Sequence, residues 1–310
     1  MAQMNLPRKN KATPRRTQGN LFPVWPRSQS FMIIASWNCR GAGGRGFSRI
    51  LKEIVNKHHI DVFCLVEPRI SGNRADTVMR KLGFSHWIRI EASGFAGGIW
   101  CLWNDAKIKV QYLSSNTQIL HCSIFDSNSQ NSSLVSFVYG ETTPLKRKGL
   151  WDSISSLAGV VNEPWILLGD FNAYLSPHNK TGGGNINWNS IHDFNNCINS
   201  CGLQEVPVVG DIFTWERGAI KERLDWTFCN SHWADANPTT KIFHLLRFKS
   251  DHRVTFLVDT VANPSHIKVK HFRYNAAWAM EESFSQLVAQ SWENSTWQEG
   301  SKNFAISALA

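Results

Sequence analysis

Trp165-Ile166-Leu167-Leu168-Gly169-Asp170-Phe171-Asn172 is the stretch on which the reading of this chain turns. Its apolar run is too short for a buried helix and has the length of a strand covered on both faces. Polar residues then appear abruptly, with Asp170 and Asn172 two apart, so in extended chain their side chains point the same way. In open α/β sheets ligands bind at the carboxyl ends of strands, which is where this pair falls.

The same pattern recurs upstream. Met32–Trp37 is an apolar run ending at Asn38, and Asp61–Val66 is another ending at Glu67. Between them Phe47, Ile50, Leu51, Ile54, Val55 and His58 recur at helical spacing, so the chain opens β-α-β. A second helix is expected over Asn73–Leu82. Gly98–Trp103, Lys107–Leu113, Gln118–Phe125 and Leu134–Tyr139 read as strands joined by short polar turns, an antiparallel stretch. Helices are expected near Lys146–Val160 and Ile191–Cys201, with strands at Ile212–Trp215, Arg223–Cys229 and Val254–Val258. Strands with interspersed helices predict a mixed α/β (α+β) core with layered packing.

Composition bounds the alternatives. The chain has 310 residues, 42% of them hydrophobic, with 14 Trp, which is a globular rather than a disordered composition. There is no run of 18 apolar residues and no apolar leader of secretory type, so neither a membrane span nor secretion is expected. The net charge of +9 is local: residues 1–52 hold ten Lys and Arg and no acid, and the remainder is close to neutral. That basic stretch suits a phosphate backbone or a nuclear address, or it is a solvated linker. The seven Cys are scattered and mostly apolar in setting, so reduced, buried thiols are expected, and Cys197 and Cys201 lack a second pair at zinc spacing. The expected organisation is a flexible basic arm over 1–30, one domain over 31–262, and a helical linker over 263–310. The linker would be the truncated start of a region leading elsewhere.

Five interruptions share one logic. Asn38, Glu67, Asp170 with Asn172, Asp225, and Asp251 with His252 each mark the end of an apolar strand or the loop beside it. Singly each has an ordinary explanation as a turn former, a cap or a packed histidine. If the four acids converge they cannot all ionise unaided, since two unit charges about 4 Å apart cost on the order of 4 kcal/mol at an effective dielectric of roughly 20. A hard divalent cation with oxygen ligands removes that cost. A histidine backed by an aspartate has a fixed tautomer or a held charge. Acids, an amide, a histidine and a metal together suit hydrolysis of a phosphate ester.

The ordered set Ser36-Trp37-Asn38-Cys39-Arg40-Gly41, Leu65-Val66-Glu67, Tyr139, Gly169-Asp170-Phe171-Asn172, Arg223-Leu224-Asp225 and Ser250-Asp251-His252 resembles the motifs of the endonuclease/exonuclease/phosphatase superfamily, over about residues 32–260. Within it the chain most resembles the endonuclease domain of plant LINE (non-LTR) retrotransposons. Its Trp37–Gly41 run, the Gly97–Trp103 strand and Phe272-Arg273-Tyr274 with Trp278 carry that likeness. Arg40 stands where apurinic-site repair enzymes have an aspartate, and Trp226 replaces a residue that is often arginine or tyrosine.

The resemblance implies a four-layer α/β sandwich of two packed mixed sheets flanked by helices, DNase I-like. It implies Mg²⁺, or alternatively Mn²⁺, bound by Glu67 with Asn38 and Asp251. Asp170 would orient or deprotonate the attacking water and Asn172 would position it or the phosphate. His252, backed by Asp225 or Asp251, would stabilise charge on the phosphoryl oxygen, and Tyr139 would contact the phosphate or assist the leaving oxygen. Arg40 and Asn172 would bind substrate; apart from the resemblance, Lys146 and Arg147 after Pro144 read as a grip on a phosphate backbone or as solvated helix-start charges. The implied activity is DNA nicking that leaves a 3′-hydroxyl, by a monomer acting on DNA in the nucleus, with the cytoplasm as the alternative. A reverse transcriptase domain, absent from this sequence, is the expected companion. Competing readings are an inositol polyphosphate phosphatase, an RNA nuclease, or a retroelement remnant that binds nucleic acid without cutting. Trp151, Trp188, Trp215 and Trp233 are expected in packing rather than on bases.

Overall fold

The computed structural model describes residues 32–259, apart from 93, 95, 96, 105, 106, 128 and 246. In chain order the first half runs β1 (Ile33–Asn38), α1 (Phe47–His58), β2 (Val62–Val66), α2 (Gly72–Leu82), β3 (His86–Ile90), β4 (Ile99–Trp103), β5 (Ile108–Ser115), β6 (Ile119–Asp126) and β7 (Asn131–Tyr139). There follow α3 (Pro144–Ala158), β8 (Trp165–Asp170), β9 (Lys180–Thr181), α4 (Trp188–Ser200), β10 (Gln204–Glu205) and β11 (Val208–Val209). The last elements are β12 (Trp215–Arg217), β13 (Ile220–Glu222), β14 (Asp225–Cys229), α5 (Ser231–Ala236), β15 (Thr240–His244) and β16 (Thr255–Asp259).

Two mixed sheets are formed, ordered β11-β15-β16-β1-β2-β4-β3 and β10-β14-β8-β7-β6-β5, with a small third sheet β12-β13-β9. The period of two along each strand decides what fills each layer. On β2, Val62, Cys64 and Val66 join Ile34, Leu168, Val135 and Phe137 in the core between the sheets. Phe63 and Leu65 point the other way and join Trp37, Leu51, Ile54 and Met79 under α1 and α2. On β8, Leu167 and Trp165 turn to the outer face and pack with Trp151, Phe194 and Phe228 beneath α3 and α4. The order helix, sheet, sheet, helix is the four-layer sandwich that the motifs implied. It also explains the unbroken apolar runs, because the central strands are covered on both faces.

The sequence reading placed α1 to α4 and most strands within a few residues. It did not anticipate β3, α5 or the small third sheet, which are short or half-exposed, nor β15, which is buried but has Thr240, Lys241 and His244 among its five residues. The expected strand Ile212–Trp215 is corrected: only its last residue, Trp215, enters a strand. Thr214 is buried and its hydroxyl accepts the backbone N–H groups of Leu224 (3.1 Å) and Asp225 (3.0 Å), so a side chain takes the place of a ladder partner. All seven Cys are free and only Cys201 is not fully buried. Among described residues, no helix is long and apolar enough to cross a membrane. The expected arm over 1–30 and the segment from 263, with Phe272 to Trp278, lie outside the described residues.

Candidate active site

Strand direction brings the polar residues to one rim. β1 and β2 are parallel, as are β7 and β8, so Asn38, Glu67, Tyr139 and Asp170 leave their strands at the same end. β14 runs antiparallel to β8 with Asp225 opposite Asp170, and β16 runs antiparallel to β1 with Thr255 opposite Ser36. Asp225 therefore opens β14 and His252 precedes β16, at the starts of their strands rather than the carboxyl ends. Reversed direction puts those starts on the same rim.

Close approach of β7 and β8 at this rim demands small residues. A Cβ on Gly140 would lie 2.3 Å from the Phe171 carbonyl oxygen, and one on Gly169 would lie 2.1 Å from that of Val138. This packing lets Asn172 Nδ2 donate to the Gly140 carbonyl at 2.8 Å. Of the seven described non-glycine residues with positive φ, five ring the site: Arg40 (46°), Glu67 (51°), Arg69 (55°), Asn172 (48°) and Lys249 (61°). Left-handed backbone costs about 1–3 kcal/mol per residue and survives where surrounding contacts fix it, commonly at functional sites.

Asp170 is the hub and is fully buried. It accepts hydrogen bonds from Asn38 Nδ2 (2.8 Å), the Asn172 backbone N–H (2.9 Å) and Asn172 Nδ2 (3.1 Å). Burial pushes its carboxyl up to about 7, with the nearby Asp225 charge adding to the rise while His252 and the two asparagines oppose it. His252 places Nδ1 2.8 Å from Asp225 Oδ2 and Nε2 3.8 Å from Asp170 Oδ2. Burial lowers its pKa, but the Asp225 and Asp170 charges outweigh burial and lift it to about 9. Asp225 is thus the partner that backs His252, a choice the sequence left open. Asp251 instead meets Arg40 at 2.5 Å. The backbone of His252 is also pinned: its carbonyl accepts from the Trp37 indole (3.4 Å) and its N–H donates to Ser250 Oγ, which donates to the Asn38 carbonyl (2.7 Å).

Tyr139 is buried beside Glu67. Burial, the Glu67 and Asp170 charges and a hydrogen bond to Glu67 raise its pKa, so the phenol keeps its proton. Glu67 is held by a forked contact from Arg69, with Nε at 3.0 Å, and Arg40 Nε stands 4.0 Å from the same oxygen.

Two places on this rim gather donors that a cation could use. Asp170, Asp225 and His252 could point ligand atoms at one centre, the described His/Cys/Asp/Glu group with that property. Asp170 already accepts three hydrogen bonds and the His252 ring is engaged by Asp225, and a protonated imidazole cannot ligate. Glu67 and Asp251 fit better. They flank the Arg40 guanidinium, and Asp251 Oδ1 is buried with no hydrogen-bond partner. Two carboxylates and an adjoining amide oxygen suit Mg²⁺, which otherwise fills its shell with water and phosphate oxygens.

Other expectations separate. Lys146 is exposed on α3. Arg147 is buried and turned inward, donating to the Glu141 (2.6 Å) and Thr142 (3.3 Å) carbonyls and to Ser190 Oγ (2.8 Å). It braces α3 against α4 and has no face left for substrate. Trp226 is a core residue whose indole donates to the Ala173 carbonyl at 2.8 Å, so its substitution alters packing rather than a substrate contact. Trp151 and Trp233 are buried as expected, but Trp188 at the start of α4 is 64% exposed. Arg69, Thr214 and Ser250 were missed as site residues. Arg69 follows Glu67-Pro68 and Ser250 opens the Ser-Asp-His run, so proximity to a motif was their available signal.

A two-sheet sandwich whose single rim gathers buried acids, two amides and a carboxylate-backed imidazolium defines a phosphoester hydrolase. The family model described as endonuclease/exonuclease/phosphatase matches residues 35–252, and the chain belongs to that family. The endonuclease domain of TRAS1, a telomere-specific non-LTR retrotransposon, has this fold at a TM-score of 0.58 and 14% identity, covering 74% of this chain and 98% of that one. An AP endonuclease from Leishmania major gives 0.58 at 15% identity, over 74% and 87% of the two chains. The 3′ phosphatase NExo from Neisseria gives 0.55 at 15% identity, over 73% and 98%. No curated protein matches the sequence.

Proposed function

We propose that this protein is a divalent-metal-dependent endonuclease that nicks DNA and leaves a 3′-hydroxyl, the cutting domain of a non-LTR retrotransposon of the plant LINE type. The observation that carries the reading is the convergence at one rim of Asp170, Asn172 and the Asp225–His252 pair, with His252 Nε2 3.8 Å from Asp170 Oδ2. Glu67 and Asp251 would hold Mg²⁺, with Asn38 beside them, and the ion would neutralise charge on the phosphate and the departing oxygen.

Asp170, its pKa raised to about 7, is matched to accept a proton from water near neutral pH. Asn172, anchored on Gly140 and Asp170, orients that water towards phosphorus. As the water oxygen bonds to phosphorus, the bond to the 3′-oxygen breaks. The imidazolium of His252, itself buried, donates to a non-bridging oxygen where charge develops. Tyr139, which retains its proton, donates towards the departing 3′-oxygen. The products are a 5′-phosphate and a 3′-hydroxyl. Such an enzyme works on DNA in the nucleus, with a reverse transcriptase as its natural companion.

The test is conversion of supercoiled plasmid to open circle by the purified chain in Mg²⁺, followed by extension of the nick with a DNA polymerase. Loss of nicking in EDTA and in Asp170→Ala or His252→Ala protein is expected. Undiminished nicking by those variants, or turnover of an inositol polyphosphate with none of DNA, would overturn the reading.

A further inference from the structure

The acidic pair at the rim already has a cation between its members. Arg40 NH1 lies 2.5 Å from Asp251 Oδ2 and its Nε 4.0 Å from Glu67 Oε2, the oxygen that Arg69 also grips. Two guanidiniums thus neutralise two carboxylates before any metal arrives. A guanidinium does not lose its proton in a protein, so pH cannot release either arginine. Only a competing cation on the carboxylates or a competing anion on the arginine can do so.

The two arginines are not equivalent. Arg69 makes a forked contact with Glu67, which orients the carboxylate. Arg40 reaches across to Asp251 from a left-handed backbone position (φ 46°), its own N–H held on Asn38 Oδ1 at 3.2 Å. Its base is fixed at the rim while its side chain is 35% exposed, against 7% for Glu67 and 21% for Asp251. Asp251 Oδ1, meanwhile, is buried with no partner.

Resting on the metal-dependent reading above, we propose that Arg40 is an exchangeable counter-cation: it holds Glu67 and Asp251 together in the metal-free protein, is expelled when a divalent ion takes those oxygens, and then pairs with a phosphate oxygen of the substrate. Like charges at this separation repel, so metal and Arg40 exclude one another from the carboxylates. A DNA phosphate that draws Arg40 away also opens the carboxylates to metal. Metal and phosphodiester therefore bind with positive coupling, each raising the affinity of the other by the same factor.

The test is Mn²⁺ affinity, read from the electron paramagnetic resonance signal of free Mn²⁺ and independent of turnover. Arg40→Gln is expected to bind Mn²⁺ about tenfold more tightly than the unaltered protein. Arg40→Lys, which keeps the charge, should stay near the unaltered value. A short single-stranded oligodeoxynucleotide should tighten Mn²⁺ binding in the unaltered protein and much less in Arg40→Gln. Thermal unfolding without metal confirms that each variant is folded. Equal or weaker Mn²⁺ binding by Arg40→Gln, or Arg40→Lys as tight as Arg40→Gln, overturns the proposal while the metal reading stands. Should Glu67→Gln leave Mn²⁺ affinity unchanged, the metal reading falls and this inference falls with it.

Discussion

Replacing Asp225 with asparagine keeps the side chain's shape and removes the charge 2.8 Å from His252 Nδ1, a charge that also helps raise Asp170. Burial alone lowers the pKa of this imidazole, and Asp225 is the first of the charges that lift it to about 9 against an ordinary 6.5. In the limit where Asp225 supplies the whole rise, its loss returns His252 to the ordinary 6.5. The change is roughly 2.5 pH units, or about 3 kcal/mol at 1.36 kcal/mol per unit. At pH 8 the protonated fraction then drops about thirtyfold. If the imidazolium donates to the phosphoryl oxygen, nicking by Asp225→Asn should lag the unaltered enzyme by a deficit that grows roughly sixfold per pH unit between 6.5 and 9. Plasmid nicking rates from pH 6 to 9.5 measure it, and NMR titration of the imidazole reports the pKa without substrate. A deficit that does not change with pH, or an imidazole still titrating near 9, would refute the reasoning.

Further expectations come from the same geometry. Nicking should rise with pH through about 7 as Asp170 loses its proton and fall through about 9 as His252 loses its own, a bell whose limbs belong to the coupled group. The folded protein binds protons more tightly at both groups than the unfolded chain does, so the sign of the stability change is fixed. The His252 contribution is full below about 6.5 and lost as pH rises through about 9, and ionising buried Asp170 costs stability between about 4 and 7. The urea midpoint should therefore be lower at pH 9.5 than at pH 6. Gly140→Ala would put a methyl 2.3 Å from the Phe171 carbonyl and should cost about 2 kcal/mol or more, lowering Tm by at least about 4 °C in calorimetry. Thr214→Val strips the acceptor from two buried N–H groups and should cost about 1–3 kcal/mol in urea unfolding while slowing nicking through Asp225.

Much of this was legible because both sheets are sandwiched. Central strands buried on two faces leave unbroken apolar runs, so Asn38, Glu67 and Asp170 stood out as interruptions. Helix periodicity located α1, where Phe47, Leu51, Ile54 and His58 line one buried face. What was not legible depends on contacts between distant residues. The pairing of His252 with Asp225 rather than adjacent Asp251 follows from β14 lying antiparallel to β8. Arg147 reads as a basic helix residue, yet three hydrogen-bond acceptors draw it inward. Trp188 looks like every other tryptophan in the sequence but opens a helix with its ring in solvent.

Crystals grown with Mn²⁺ and a short single-stranded oligodeoxynucleotide, using Asp170→Ala protein to prevent cutting, give the most direct measurement of where the metal and phosphate sit. An anomalous peak beside Glu67 and Asp251, with one phosphate in reach of both His252 and Asn172, is the predicted result. Manganese beside Asp225 and His252 instead, or a phosphate that reaches the acidic pair but neither His252 nor Asn172, would contradict it.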